Sequence, residues 1–477
     1  MAVGTIILTI ALYVALLFVV ALRSSRHSDN ATFFTGRRST PRLVAMVAMV
    51  GAAMSGVTYI SVPGTVATDG FSYLQTCLGF FVGYAIIAFV LIPLYYRLGV
   101  VSLYEYLDHR FGVTAHRTGA WLFFVAKIAS ASLRAYVVCV VLQTLLYDLW
   151  GVPFWVNAAI MMMLVWLYTR RGGVRSVVWV EMLKTIIMVA SIVLCIIFVI
   201  RALGLDLGGA MSLVADGDYS RIFFFDDPLD GRYFWKQFVA GIFLVVAMTG
   251  LDQDMMQTML SCRTERDAKR GMMSSIVVQI VVIVLFLSLG VLLYAYAAKH
   301  SLTETGDNLF GAVATHSDMP AIVGVMFLLG LVASTYSSAG SALTALTTSF
   351  TLDILKGDRG DERKRKLSHT LIAVAITVII VVFERFSSAG AITLIFTMAS
   401  YTYGPLLGLF AFGILTRRMP RKWSIVAAAV LSPIVCYLLS THSEAWFAGY
   451  RFSYELLIIN AAITLLILFV FSRKKKD

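Results

Sequence analysis

LVASTYSSAGSALTALTTSF, residues 331–350, is the stretch from which the rest of the chain reads. It lies in an apolar segment that opens after Pro320 and runs to Leu355. Ser334, Ser337, Ser338, Ser341, Thr344 and Thr348 follow the i, i+3, i+4, i+7 rule, so the spacing predicts a helix with hydroxyls along one face. Ala339 and Gly340 keep the neighbouring surface small, and no charge occurs between Pro320 and Asp353. Two readings fit. Small residues let membrane helices pack closely, while Ser and Thr hydroxyls bond back to their own helix. Alternatively, oxygens without full charge at membrane depth suit a hard cation such as sodium, replacing part of its water shell. The remainder of the chain favours the second reading.

Composition sets the class. Of 477 residues, 59% are hydrophobic and only 14% charged, against roughly 25% charged in a soluble chain. Mean hydropathy is +0.83. Apolar runs recur near residues 3–22, 43–67, 73–96, 118–147, 154–168, 176–200, 237–258, 271–298, 320–352, 370–383, 390–415, 424–440 and 453–471. Each approaches the length that a bilayer core of roughly 30 Å requires. The expectation is an all-α polytopic membrane protein of thirteen spans, embedded in the lipid bilayer of a cell membrane. The net charge of +12 does not indicate nucleic acid, because most Lys and Arg fall in alternate loops. By the positive-inside rule those loops face the cytoplasm, giving N-terminus out and C-terminus in.

The first helix lacks a basic n-region, so it is read as retained and peripheral. The five cysteines form no CxxC pair, and neither a disulfide framework nor a zinc site is indicated. No HExxH, GxSxG or paired-carboxylate spacing marks an enzyme. No long loop forms a second domain, so residues 1–477 read as one membrane domain. The loop 201–236 is rich in Asp but has no EF-hand spacing, and reads as a solvated lid. The second span, VAMVGAAMSGVTYISVPGTVATDG, carries Gly51, Ser55, Gly56, Pro63 and Gly64, which weaken a helix interior. A broken helix at membrane depth is tolerated only against protein or a wet cavity, and such helices mark carrier binding sites. Close packing through small residues is the competing explanation.

Five segments in order resemble the sodium/solute symporter family: SGVTYISVPG (55–64), EYLDHRF (105–111), LYTRRGGVRSVVWVEMLK (167–184), LDQDMMQ (251–257) and YGPLLGLFAFGI (403–414). The resemblance implies a LeuT-type fold: an extra helix at 3–22, a five-helix repeat at 43–200, an inverted repeat at 237–415, and two further helices at 424–471. It implies a sodium site in which Gly51, Met54 and Ser334 offer carbonyls and Ser337 and Ser338 offer hydroxyls. Bacterial sodium/sialic-acid symporters of the family have a second sodium site. Glu181 matches its acidic position and Ser337 and Ser341 two of its hydroxyls; Gly340 stands where a third would be. Lys184, one turn after Glu181, stands where the family often has Gln. The expectation is that its ammonium takes the place of this second sodium, leaving one ion per solute; the alternative is an ion pair that holds the helix end.

Arg134 is the charge nearest mid-span, where a charge faces a cavity or a partner. Its guanidinium suits a solute carboxylate, although the family's Arg position aligns with Ser130, one turn earlier. An ion pair with Asp252 or Glu181 is the other role open to it. Lys127 is read as snorkelling. Further solute-contact candidates are Ser55, Thr58, Tyr73, Gln75, Cys77, Thr397 and Tyr401. The expected function is sodium-coupled import of a small polar solute, with a carboxylate-bearing one (a sugar acid such as sialic acid, or an amino acid) favoured. The rivals are a neutral sugar or polyol symporter, and a non-transporting membrane sensor. The sequence names no oligomeric state.

Overall fold

A computed structural model describes residues 3–24, 29–356, 361–386, 391–447, 450, 452 and 454–474; the side chains of 3, 6, 145, 218, 386 and 391–398 lie outside that description. Among the described residues, eight helices are long and apolar enough to cross a membrane, or ten when two bent pairs each count as one span. Two shorter apolar helices, Ala399–Leu415 and Leu456–Val470, complete the set. Each apolar run read from the sequence has a helical counterpart, and one counterpart is double. Phe154–Leu203 is a continuous run interrupted at Gly173, whose φ of 48° and ψ of −131° turn the chain between two apolar runs. Phe33, from the short helix Asn30–Thr35, closes over this glycine and leaves no room for a Cβ.

The two bent pairs place the site. Arg42–Ala53 and Gly56–Gly64 meet at 58°, and Phe234–Gly250 and Gln253–Leu260 meet at 69°. In the first pair Met54 and Ser55 are extended, and Ser55 and Thr58 form a reciprocal capping box for the second half. In the second, Asp252 is extended and its carboxylate accepts from Asp254 N at 2.8 Å and Met255 N at 3.4 Å. Carbonyls freed by that break find hydroxyls: Tyr95 donates to Gly250 O at 2.9 Å and Tyr104 to Leu251 O at 3.0 Å. Both breaks therefore keep their polar groups satisfied without water, as membrane depth demands.

The hydroxyl stretch is helical, within Ala321–Ser349, and nearly every residue from Gly330 to Ser349 is buried. It packs chiefly on Phe154–Leu203 and also on Val113–Leu142 and the first half-helix. The first helix, Val3–Ser24, is less peripheral than its sequence suggests. Tyr13, Leu17 and Ala21 are buried, and Tyr13 donates to Ala333 O at 3.3 Å, while the opposite face exposes Leu8, Leu12 and Val19.

Candidate solute and cation site

A cavity of about 810 Å³, its mouth included, opens beside the first break. Ser55 and Thr58 line it from the broken helix, Tyr73, Phe80 and Tyr84 from Tyr73–Ile86, and Lys127, Ser130 and Arg134 from Val113–Leu142. Met248, Asp252, Gln279 and Tyr403 close the far side. A smaller space of about 340 Å³ continues behind it, between Ser55, Gly56, Arg134, Asp254, Thr335 and Ser338. Arg134 lines both, so the solute cavity abuts the hydroxyl helix.

Four of the solute-contact candidates from the sequence reach the cavity: Ser55, Thr58, Tyr73 and Arg134. Gln75 does not. Its amide donates to Arg232 O at 2.8 Å and accepts from Phe224 N at 3.1 Å, so it ties down the loop 201–236. That loop spends its own acids locally: Asp206 caps a helix at Gly209 N, and Arg221 pairs with Asp226. Arg232 bonds Asp230 at 2.8 Å and holds that carboxyl below its usual range. Cys77 is buried and lies off the cavity lining. Tyr401 faces Tyr437 with ring centroids 6.3 Å apart and is also off it. The side chain of Thr397 lies outside the described residues.

The charges resolve differently from the sequence reading. Lys127 does not snorkel: it is 5% exposed and bonds Asp252 at 3.1 Å and Asp254 at 2.6 Å. Tyr403 donates to Asp252 Oδ2 at 2.5 Å, and the Ser341 hydroxyl donates to Asp254. Glu181 pairs with Lys184. Both acids expected as structural partners for Arg134 are therefore taken. Arg134 has no ion pair among the described residues, and its Nε is buried without a hydrogen-bond partner. A buried donor left open is costly.

Two of the five expected sodium ligands, Gly51 O and the Ser338 hydroxyl, share a partner, and it is a side chain. The Lys184 ammonium donates to Gly51 O at 2.6 Å, to Ser338 Oγ at 2.9 Å and to Glu181 Oε2 at 3.1 Å. Ser338 donates back to Ser334 O at 2.8 Å, and the Ser334 hydroxyl to Leu331 O at 2.9 Å. Met54 is fully buried at the break, its N–H on Gly51 O at 3.0 Å. The neighbouring oxygens differ. The Ser337 hydroxyl lies beside the Glu181 carboxylate, which also receives Lys184. At Gly340, Tyr168 Oη fills the space a Cβ would take and donates to Tyr336 O at 2.7 Å. Sequence reasoning missed Lys127, Asp252, Asp254, Gln279, Tyr403 and Tyr168 as site residues. LDQDMMQ and YGPLLGLFAFGI carried the signal for three of them, as two acids and a tyrosine in apolar surroundings.

The profile of the sodium:solute symporter family matches residues 33–441. The chain belongs to that family. Its members couple solute movement to sodium and are transporters rather than enzymes. The human sodium/iodide cotransporter is 25% identical over 416 residues, 83% of this chain and 62% of that one. The bovine sodium-coupled monocarboxylate transporter 2 is 25% identical over 434 residues, 87% of this chain and 68% of that one. The chain thus spans about three fifths to two thirds of the length of these relatives. A solved substrate-bound, outward-open sialic acid symporter superposes with a TM-score of 0.81 at 18% identity, covering 99% of both chains. The fold is accordingly that of a LeuT-like transporter.

Proposed function

We propose that this chain is a sodium-coupled symporter of a small carboxylate-bearing solute, working in a cell membrane with its N-terminus outside. The carrying observation is Arg134: a guanidinium without a counter-ion among the described residues, half-buried in the wall of the cavity beside the first break. The planar fork suits a carboxylate, and Ser55, Thr58, Ser130 and Tyr73 are placed to take hydroxyls or an amine. The iodide, monocarboxylate and sialate named for the relatives are all anions. The thirteen helical segments read as thirteen spans. Residues 43–200 and 237–415 read as two inverted five-helix repeats, an assignment favoured by the fact that each begins with a broken helix.

Sodium, in this reading, binds at Glu181, Ser337 and Ser341. The Ser337 hydroxyl and the Glu181 carboxylate lie side by side there, and Asp254 adds negative charge behind Ser341. The buried charges balance: Lys127, Arg134 and Lys184 against Asp252, Asp254 and Glu181. Adding sodium alone or a carboxylate alone leaves a net charge in a low-dielectric core, whereas adding both does not. That is a physical basis for obligatory coupling. The test is thermal stabilisation of the purified protein by monocarboxylates, sugar acids, amino acids and neutral sugars, each in NaCl and in choline chloride. Stabilisation by carboxylates that requires sodium is expected; stabilisation by neutral sugars alone overturns the solute assignment.

A further inference from the structure

We propose that the Lys184 ammonium is the resident cation of the pocket made by Gly51, Ser338 and Glu181, and that it keeps sodium out of it. The proposal rests on the transporter reading above, but not on any particular solute. Gly51 and Ser338 are two of the five oxygens expected to hold sodium. An ammonium has three donors and no acceptor, and here all three are used: on Gly51 O at 2.6 Å, Ser338 Oγ at 2.9 Å and Glu181 Oε2 at 3.1 Å.

The acceptors are prepared for a cation. Met54 and Ser55 are extended, so the Ser55 N–H turns to Thr58 Oγ1 instead of closing a helical bond on Gly51 O. Ser338 gives its proton to Ser334 O, which leaves its lone pairs toward Lys184. The ammonium, carried on Phe154–Leu203, ties that helix to the broken helix and the hydroxyl helix, the two elements the expected ion would join. No space is spare: a Cβ on Gly51 would lie 2.9 Å from Glu181 O. Sodium would have to compete with the tethered ammonium for the same Gly51 and Ser338 oxygens. A tethered cation cannot be released with the solute. This locus therefore supplies charge and cohesion to the fold and no transported ion, which leaves the Glu181–Ser337–Ser341 side as the one sodium position.

The experiment compares thermal stability of the purified full-length protein in NaCl and in choline chloride, at equal ionic strength and fixed pH. Lys184→Gln removes the ammonium and leaves Gly51, Met54, Ser334, Ser337 and Ser338 free to bind an ion. It is expected to gain a sodium response with a half-maximal concentration roughly tenfold or more below that of the wild type. Ser338→Ala added to Lys184→Gln is expected to abolish the gain. A folded Lys184→Gln protein with the wild-type sodium response overturns the proposal. A Lys184→Gln protein that folds only in NaCl supports it directly. Should it fold in neither salt, the charge-balanced Glu181→Gln/Lys184→Gln pair takes its place, and the same gain or its absence decides. A wild type with no sodium response, beside a Lys184→Gln variant that has one, sinks sodium coupling and upholds the role of Lys184. A wild-type response that Lys184→Gln leaves untouched does the reverse.

Discussion

Lys127 and Arg134 stand two turns apart on one helix, in one cavity wall, and differ in a single respect. Lys127 has two carboxylates and Arg134 has none among the described residues. Their variants should therefore diverge. Lys127→Met strips the cation from two buried acids and should cost about 3–5 kcal/mol, read as a large fall in melting temperature. Asp254→Asn added to it should restore part of the loss. Arg134→Gln removes a charge that nothing in the described fold neutralises, so melting without solute should hold or rise. Affinity for the carboxylate solute should fall about 10- to 100-fold, the range expected for losing charge-assisted hydrogen bonds. A large melting loss in Arg134→Gln would point to a structural partner instead.

At the scale of elements, the breaks do the positioning, and each has a local cause. Asp252 stops one helix and starts the next by capping it, and the same carboxylate receives Lys127 and Tyr403, so bend and charge cluster form together. Gly173 separates two spans with a backbone conformation that L side chains rarely adopt. Gly173→Ala should destabilise by about 1–3 kcal/mol, through strain and collision with Phe33, measurable by denaturation. Gly340→Ser is a sharper test, because it restores the hydroxyl that the family pattern has there. The structure predicts that it fails to improve sodium binding. Its Cβ would run into Tyr168 Oη and break the bond to Tyr336 O, an overpacking cost of about 1–3 kcal/mol. Stronger sodium stabilisation in Gly340→Ser would show that Tyr168 does not block that space.

For the whole molecule, balanced buried charge with Lys184 as a fixed cation implies one sodium per solute. Uptake of a monoanion into proteoliposomes should then be electroneutral, with a rate indifferent to an imposed potassium diffusion potential. Acceleration by an inside-negative potential would mean that a second ion moves. Linkage adds a check: solute should lower the half-saturating sodium concentration by the factor by which sodium tightens solute binding.

The membrane class, the helices, the interrupted second span and the hydroxyl stripe were legible in the sequence. Each rests on short-range periodicity and on Gly and Pro within a few residues, and both are properties of contiguous chain. Family membership was legible for a related reason, since its motifs survive as short runs such as EYLDHRF and YGPLLGLFAFGI. The partners of the charges were not. Lys127 and Asp252 are 125 residues apart, Lys184 and Gly51 are 133 apart, and Lys184 and Ser338 are 154 apart. Helical spacing put Lys184 beside Glu181 and so suggested the second ion position. Only the packing of three helices carried its ammonium on to Gly51 and Ser338. A flexible side chain chooses among all the acceptors that the fold brings within its reach, and that choice is made by tertiary contact rather than by neighbours in sequence.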